Sequence, residues 1–247
     1  MALLTAALIE ARQGWAATAT LALLGAAALL LAAFAAVELT RRRPMLDTRL
    51  FAEPQFLASI AGALFTGLAV IGLMSYSPAL MQRALHLSAL GSATVLAAWS
   101  ATSVVVALAA RSMPGRLRTQ SRLVIGLALA AAGEAALTGL GTGSSWTRLV
   151  PGLLVAGVGS GIANAALGRI AVESVPHDRV GMGSGANNTA RYLGGAAGVA
   201  LVVTIATGAG ESGLVHRWNT AALVSAGLCA LGALIVASCR AMTHRRA

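Results

Sequence analysis

About seven apolar runs, each long enough to cross a bilayer, alternate along this chain with short loops that hold most of its charge. A hydrocarbon core about 30 Å thick is crossed by ~20 helical residues, and only elements that satisfy their own backbone N–H and C=O groups persist there. The runs lie at 15–37, 56–81, 90–110 and 123–140, then twice within 150–207 around a charged turn at 173–179, and finally at 218–238. With 57% hydrophobic and only 11% charged residues, and a mean hydropathy of +0.78, the 247-residue chain departs from any ordinary soluble domain. The expected fold is an all-α integral membrane bundle of about seven transmembrane helices.

The formal net charge of +10 does not point to nucleic acid. All the basic side chains are arginines, scattered between apolar runs and forming no basic face with interleaved aromatics. Cys229 and Cys239 lie ten residues apart on one expected helix. That is ~15 Å along its axis, too far for a disulfide. No metal-ligand spacing is present, so no cofactor is expected. GVGSG and GMGSG sit inside apolar helices rather than after strands, which separates them from dinucleotide loops. His86, His177, His216 and His244 fall in loops or the tail, leaving Ser160 and Ser184 without an intramembrane base. The chain is not read as an enzyme.

Arginine placement sets an orientation. With the loop at Arg41 in the cytoplasm, alternation puts Arg41, Arg42, Arg43, Arg49, Arg111, Arg116, Arg118, Arg122, Arg179, Arg240, Arg245 and Arg246 inside. Only Arg12, Arg83, Arg148 and Arg217 fall outside, a clear positive-inside bias with a cytoplasmic C-terminus. Residues 1–14 are expected to be the stump of a preceding span plus an outer loop, because the apolar part is too short to cross and has no basic n-region. An outer Met1 fits a piece of a longer chain. Residues 15–37 form an extra span, 38–55 a cytoplasmic linker, 56–239 a six-span bundle and 240–247 a basic cytoplasmic tail.

The stretch 150–207 holds the densest set of candidates. At 100° per residue, Ser184, Asn187, Asn188, Arg191, Gly194, Gly195 and Gly198 fall within roughly a third of the helix circumference. Gly157, Ser160, Gly161, Asn164 and Gly168 share a face of the preceding helix. Small residues let helices approach closely in lipid, and polar side chains at depth face protein or a watery path. Asn164, Asn187 and Asn188 therefore line a substrate path or act as interhelical glue worth on the order of 1 kcal/mol each. Arg191, expected about two turns in from the cytoplasmic end of its span, either faces that path, snorkels to the cytoplasmic surface or binds backbone carbonyls near Glu173. Tyr76, Gln82 and Trp99 offer ring faces and an amide to a lipophilic molecule, or pack at interfaces. Pro78, well inside a span, should kink it. The glycines serve packing or hinge action. Glu134 is the one acid well inside a run, hence a candidate proton carrier.

Several strings together resemble a known family. DRVGMGSGANNTARYLGGAAGVAL at 178–201 is similar to the penultimate span of major facilitator superfamily exporters, and more narrowly to the fourteen-span multidrug:proton antiporter branch (EmrB/QacA-type). PMLDTRLFAEPQF at 44–56 and SYSPALMQRALHLSALGSA at 75–93 resemble the start of that branch's C-terminal six-helix half, and ARQGW at 11–15 the start of the second of its two extra central helices. The resemblance implies the C-terminal portion of a secondary active transporter, with proton-coupled efflux of lipophilic or cationic drugs and related small molecules. Its partners would be the lipid bilayer, a small-molecule substrate, protons and an N-terminal transporter half, in the cell (inner) membrane as a multi-pass protein. The family's signature loop, antiporter helix motif and most proton-coupling acids belong to that other half. The loop at 113–122 resembles the C-half echo of the signature loop and carries no acid. The resemblance also makes the run at 123–140, with Glu134, peripheral. A non-transporting truncated membrane protein, or a scaffold that only pairs helices, is the alternative left open.

The orientation is testable. Reporter fusions after Thr142 and Gly210 should report the outer side and one after Ala247 the cytoplasm; a cytoplasmic signal from the Gly210 fusion would break the topology.

Overall fold

The computed structural model describes residues 48–112, 117–141, 143–207 and 213–246, with isolated helical positions between 18 and 33. The stump expected over 1–14, most of the extra span at 15–37 and the linker up to residue 47 lie outside the described residues. After a 3-10 turn at Thr48–Ala52, six helices follow: α1 (Pro54–Ala84), α2 (Ala89–Ser112), α3 (Thr119–Ala136), α4 (Leu149–Glu173), α5 (Val180–Thr207) and α6 (Leu214–Arg246). No strand occurs among the described residues. This is an all-α membrane bundle.

Five of the six described helices are long and apolar enough to cross a membrane by length and composition. The exception is α3, expected over 123–140 and found at Thr119–Ala136. It opens with the polar Thr119, Gln120, Ser121 and Arg122 and carries Glu134 near its end. Its early stop is set from a distance. Leu137 caps it, Gly139 adopts a left-handed φ of 76°, and the buried Trp218 of α6 donates its indole N–H to the Leu137 carbonyl at 3.0 Å. Asn219 then pairs both ways with Leu140, accepting from its N–H at 3.2 Å and donating to its carbonyl at 3.0 Å. At the other end of the chain α6 runs beyond the expected residue 238 through Arg246, so the basic segment forms its last turns.

Helix α1 begins with Pro54 in its first turn, where a missing N–H costs nothing, and continues through Pro78. Its ladder changes at Thr66–Ile71, which is a π-helical stretch. Inserted residues of this kind leave backbone carbonyls seeking other donors. Here the Thr66 hydroxyl bonds the Gly62 carbonyl at 2.7 Å, and Ser225 of α6 reaches the Ala69 carbonyl at 3.4 Å.

Three glycine-lined crossings hold the bundle. On α1 and α5, Gly67, Gly72, Gly194 and Gly198 bring backbone to backbone: a Cβ at Gly72 would lie 2.6 Å from the Gly198 carbonyl carbon, and one at Gly67 2.7 Å from the Gly195 nitrogen. On α3 and α4, a Cβ at Gly126 would lie 2.6 Å from the Ala163 nitrogen, and Gly133 and Gly159 are pressed as tightly. On α4 and α2, Gly157 meets the Trp99 carbonyl and Gly161 the Ser103 carbonyl, with Cβ positions at 2.7 and 2.6 Å. Side chains fill the space on either side of the α1–α5 crossing. One core gathers Leu73, Leu80, Leu137, Leu153 and Trp218, and the other Ala58, Leu127, Leu167, Ile170 and Val236. Helix α2 is the outlier, since almost none of its apolar window is buried and Leu90, Val104, Val105 and Leu108 are exposed.

The crossings predict a contrast between glycines. Gly198→Val drives a branched side chain into the Leu68 carbonyl and should cost about 1–3 kcal/mol by overpacking. Gly168→Ala, with nothing within 4 Å, should leave thermal stability in detergent unchanged or slightly raised. Equal melting of the two variants would remove the glycine crossing as the organising contact.

Candidate functional site: a polar wall on four helices

The site candidates sit where the α1–α5 crossing places them. Because Gly194 and Gly198 seat against the Leu64 and Leu68 carbonyls, the rotation of α5 about its axis is fixed. Successive residues of a helix then point 100° apart. Asn187 turns toward α1, where its Nδ2 donates to the Ser59 carbonyl at 3.1 Å and to the Ser59 Oγ at 2.9 Å, all buried. Asn188 is exposed, and its Oδ1 accepts from Arg191 Nη2 at 2.9 Å. Arg191 Nη1 extends across to Asn164 Oδ1 of α4 at 3.5 Å, and the guanidinium carbon lies 5.8 Å from the Tyr192 ring centroid. The structure thus brings Asn164, Asn188 and Arg191 together and sends Asn187 to a different interface.

Arg191 lies eleven residues beyond the start of α5 at Val180, ~16 Å along the axis and deeper than the two turns expected from sequence. Asn164 lies nine residues before the end of α4 at Glu173, ~14 Å in from the same side. The two depths agree and place the cluster near the middle of both helices.

Two cavities lie among these helices, and the first has Asn164 in its lining. One, ≈ 320 Å³, opens between α2, α3 and α4 and is lined by Thr119, Arg122, Asn164, Gly168 and Arg169 among others. Arg122 Nη1 donates to the Ala110 carbonyl at 3.2 Å, fastening the start of α3 to the end of α2. Arg169 and Glu173 form an ion pair at 2.6 Å, and the Thr119 hydroxyl donates to the other Glu173 oxygen at 3.0 Å. The second cavity, ≈ 280 Å³, lies between α1 and α2 and is lined by Pro78, Gln82, Ser92, Leu96, Trp99 and Ser100 among others. Gln82 Nε2 donates to Ser92 Oγ at 3.3 Å, and the Trp99 indole N–H reaches Ser160 Oγ of α4 at 3.3 Å. Pro78 therefore shares a cavity wall with Gln82 and Trp99.

The other candidates lie apart. Tyr76 is buried in the core with Leu80 and Trp218, its hydroxyl without a partner. Glu134 is fully buried, with the Cys229 thiol of α6 beside its carboxyl. It stands in the α3–α6 interface, away from the Arg191 cluster. Among the glycines expected on the stripe, Gly157, Gly161, Gly194 and Gly198 make backbone crossings, while Gly195 meets only the Ile71 side chain, with a Cβ position at 3.4 Å. Gly168 faces open space at the rim of the larger cavity. Sequence reasoning did not single out Thr119, Arg122 and Arg169 as one cavity wall. Their signal was the charged loop at 113–122 leading into a helix that opens with four polar residues. Among the described residues, no group of three His, Cys, Asp or Glu could hold a metal ion.

The two adjacent asparagines provide a test. A cysteine at Asn188 should react readily with a membrane-impermeant thiol reagent, whereas one at Asn187 should be protected and should also cost about 1 kcal/mol or more through the lost bonds to Ser59. Equal labelling at both positions would contradict the rotation of α5.

Comparison with known proteins agrees with this architecture. A sequence profile of the Major Facilitator Superfamily matches residues 1–199. The puromycin resistance protein of Streptomyces alboniger is 32% identical over 234 residues, spanning 88% of this chain and 44% of its own length. A probable actinorhodin transporter of Streptomyces coelicolor is 31% identical over 217 residues, 83% of this chain and 37% of its own. The multidrug resistance protein Stp of Mycobacterium tuberculosis is 27% identical over 200 residues, 81% of this chain and 37% of its own. The chain spans less than half the length of these relatives. A family match over most of the sequence, on a bundle of helices long and apolar enough to cross a membrane, makes this chain a member of the major facilitator superfamily.

Proposed function

We propose that the chain is the C-terminal part of a proton-coupled exporter of small lipophilic molecules, in the fourteen-span branch and in the cell (inner) membrane, with its C-terminus in the cytoplasm. It works with an N-terminal half that supplies the facing wall. The observation that carries this reading is the wall itself. Gln82, Trp99, Asn164, Asn188 and Arg191 all come from α1, α2, α4 and α5, and of the two cavities beside them one lies between α1 and α2 and the other takes Thr119 and Arg122 from α3. In transporters built from repeats, the substrate site lies near the bilayer midplane between two such bundles, and access alternates as one rocks against the other.

Energetics support a partner. Insertion of an arginine at the centre of a lipid-exposed helix costs roughly 2.5–3.5 kcal/mol, and exposed amides add to that. Arg191 is half-buried and Asn188 exposed, so a facing bundle would remove an unfavourable contact with lipid. Coverage of only 37–44% of the relatives' lengths fits the same division.

The chain is to be produced alone and together with a separately encoded N-terminal half in an efflux-deficient host. Loss of a preloaded lipophilic dye should be fast only with both halves and should stop when an uncoupler collapses the proton gradient. Proton-dependent extrusion by the lone chain would overturn the partner requirement, and absence of extrusion by the pair would overturn the exporter reading.

A further inference from the structure

We infer that this half binds its substrate through an anionic group, a carboxylate or similarly charged oxygen, with Arg191 as the residue that receives it. The inference rests on the exporter reading above and narrows its substrate class away from the cationic drugs expected from sequence.

The charge inventory carries it. Arg191 is fastened by two neutral amide oxygens, those of Asn188 at 2.9 Å and Asn164 at 3.5 Å, and lies over the ring of its neighbour Tyr192. The acids among the described residues are Glu53, Glu134, Glu173 and Asp178, and none of them engages it. Glu173 is held by Arg169 and Thr119, Asp178 lies beside Arg179, Glu134 is sealed against α6, and Glu53 precedes α1. A guanidinium near mid-membrane depth with only neutral acceptors keeps its full charge in a region of weak screening. Its Nη groups form a planar fork matched to a carboxylate, and the two amides can yield to an incoming anion.

The surroundings favour the same sign. Asn164, which touches Arg191, also lines the ≈ 320 Å³ cavity whose other walls bring Arg122 and, ion-paired with Glu173, Arg169. Clefts lined by one sign of charge concentrate ligands of the other sign. On the expected topology this cavity lies on the cytoplasmic side, where an exporter loads. The volume suits a ring-sized acid head, and Ile162, Ala165 and Ala166 supply its apolar lining. A lipophilic cation entering here would meet Arg122 on one wall and Arg191 beyond Asn164.

The test uses the full chain in phosphatidylcholine nanodiscs and a matched pair of probes, pyrenebutyrate and a pyrenebutyl-trimethylammonium, read by tryptophan-to-pyrene energy transfer against empty discs. Pyrenebutyrate should bind about tenfold or more tightly than the ammonium probe, and Arg191→Gln should abolish that preference, in line with a charge-assisted bond. Arg191→Lys should keep part of it, and Arg240→Gln on the last turns of α6 should keep all of it. Helicity and monodispersity of each variant are checked first, and Arg191→Lys serves as the reporting variant where Arg191→Gln fails to assemble. Equal or tighter binding of the ammonium probe, or a preference unmoved by both Arg191 variants, would overturn the inference. Repeating the titration in phosphatidylglycerol discs separates the sources of the anion: full loss of pyrenebutyrate binding there would assign the site to a lipid headgroup and overturn the substrate role. Export by the paired halves distinguishes the two levels, since extrusion of the ammonium probe alone would sink the anion assignment and leave the exporter standing.

Discussion

Direct contact between the backbones of α1 and α5 is the constraint on which the remaining geometry depends. In lipid, burial of apolar side chains brings helices together weakly, because acyl chains are as apolar as leucine. Packing density and close backbone approach take over, and only residues without a Cβ permit them. Gly67, Gly72, Gly194 and Gly198 provide that approach over two successive turns. The hydrogen bond from Asn187 to Ser59 lies two turns nearer the start of both helices and fixes the pairing in register. Contacts of this kind leave little rotational freedom, so the polar side chains of α5 are aimed by the crossing rather than by their own chemistry.

The π-helical stretch of α1 lies inside this contact. Gly67 faces the Arg191 carbonyl across the crossing, and Thr66–Ile71 is where the α1 ladder admits an extra residue per turn. The local change shifts the α1 face that follows it by about one residue's rotation relative to a regular helix. Gly72 thereby meets Gly198, and Tyr76 turns into the core while Pro78 and Gln82 turn to the cavity beside α2. Ser225 of α6, on the Ala69 carbonyl, gives the irregular turn a donor that a regular helix would not need.

These two features explain which parts of the structure were legible in the sequence. Apolar runs and the glycine spacing announced helices α1, α2, α4, α5 and α6, because length and hydropathy are local properties. The end of α3 was not, since Trp218 and Asn219 set it from about eighty residues away. A 100° projection correctly put small and amide-bearing residues on one third of α5. It could not say that neighbours within that third divide between α1 and α4, because a wheel treats the helix as isolated. Tyr76, Gln82 and Trp99 were grouped in the sequence reading by side-chain chemistry alone; six residues apart on one regular helix, Tyr76 and Gln82 point about 120° from each other, so one enters the core and the other the cavity. The cavity of Arg122, Arg169 and Asn164 was hidden for a third reason: its walls come from three helices, and no single segment displays them together.

The backbone contact also sets where the Arg191 charge sits. A long side chain on an isolated helix lowers its cost at depth by snorkelling to the nearest interface. Here the Arg191 backbone is pressed on Gly67, and its side chain is spanned between Asn188 and Asn164, so the charge stays ~16 Å from the start of α5. An ion pair at this position would hold the guanidinium through every conformational step, because breaking a desolvated pair costs several kcal/mol. Amide oxygens hold it with less. In the substrate role proposed for Arg191, they satisfy its donors while the path is empty and give way when a stronger acceptor arrives, at a net change small enough to reverse. A group that takes up a ligand on one side of a membrane and releases it on the other requires that reversibility, and on that proposal two asparagines, rather than a carboxylate, supply it.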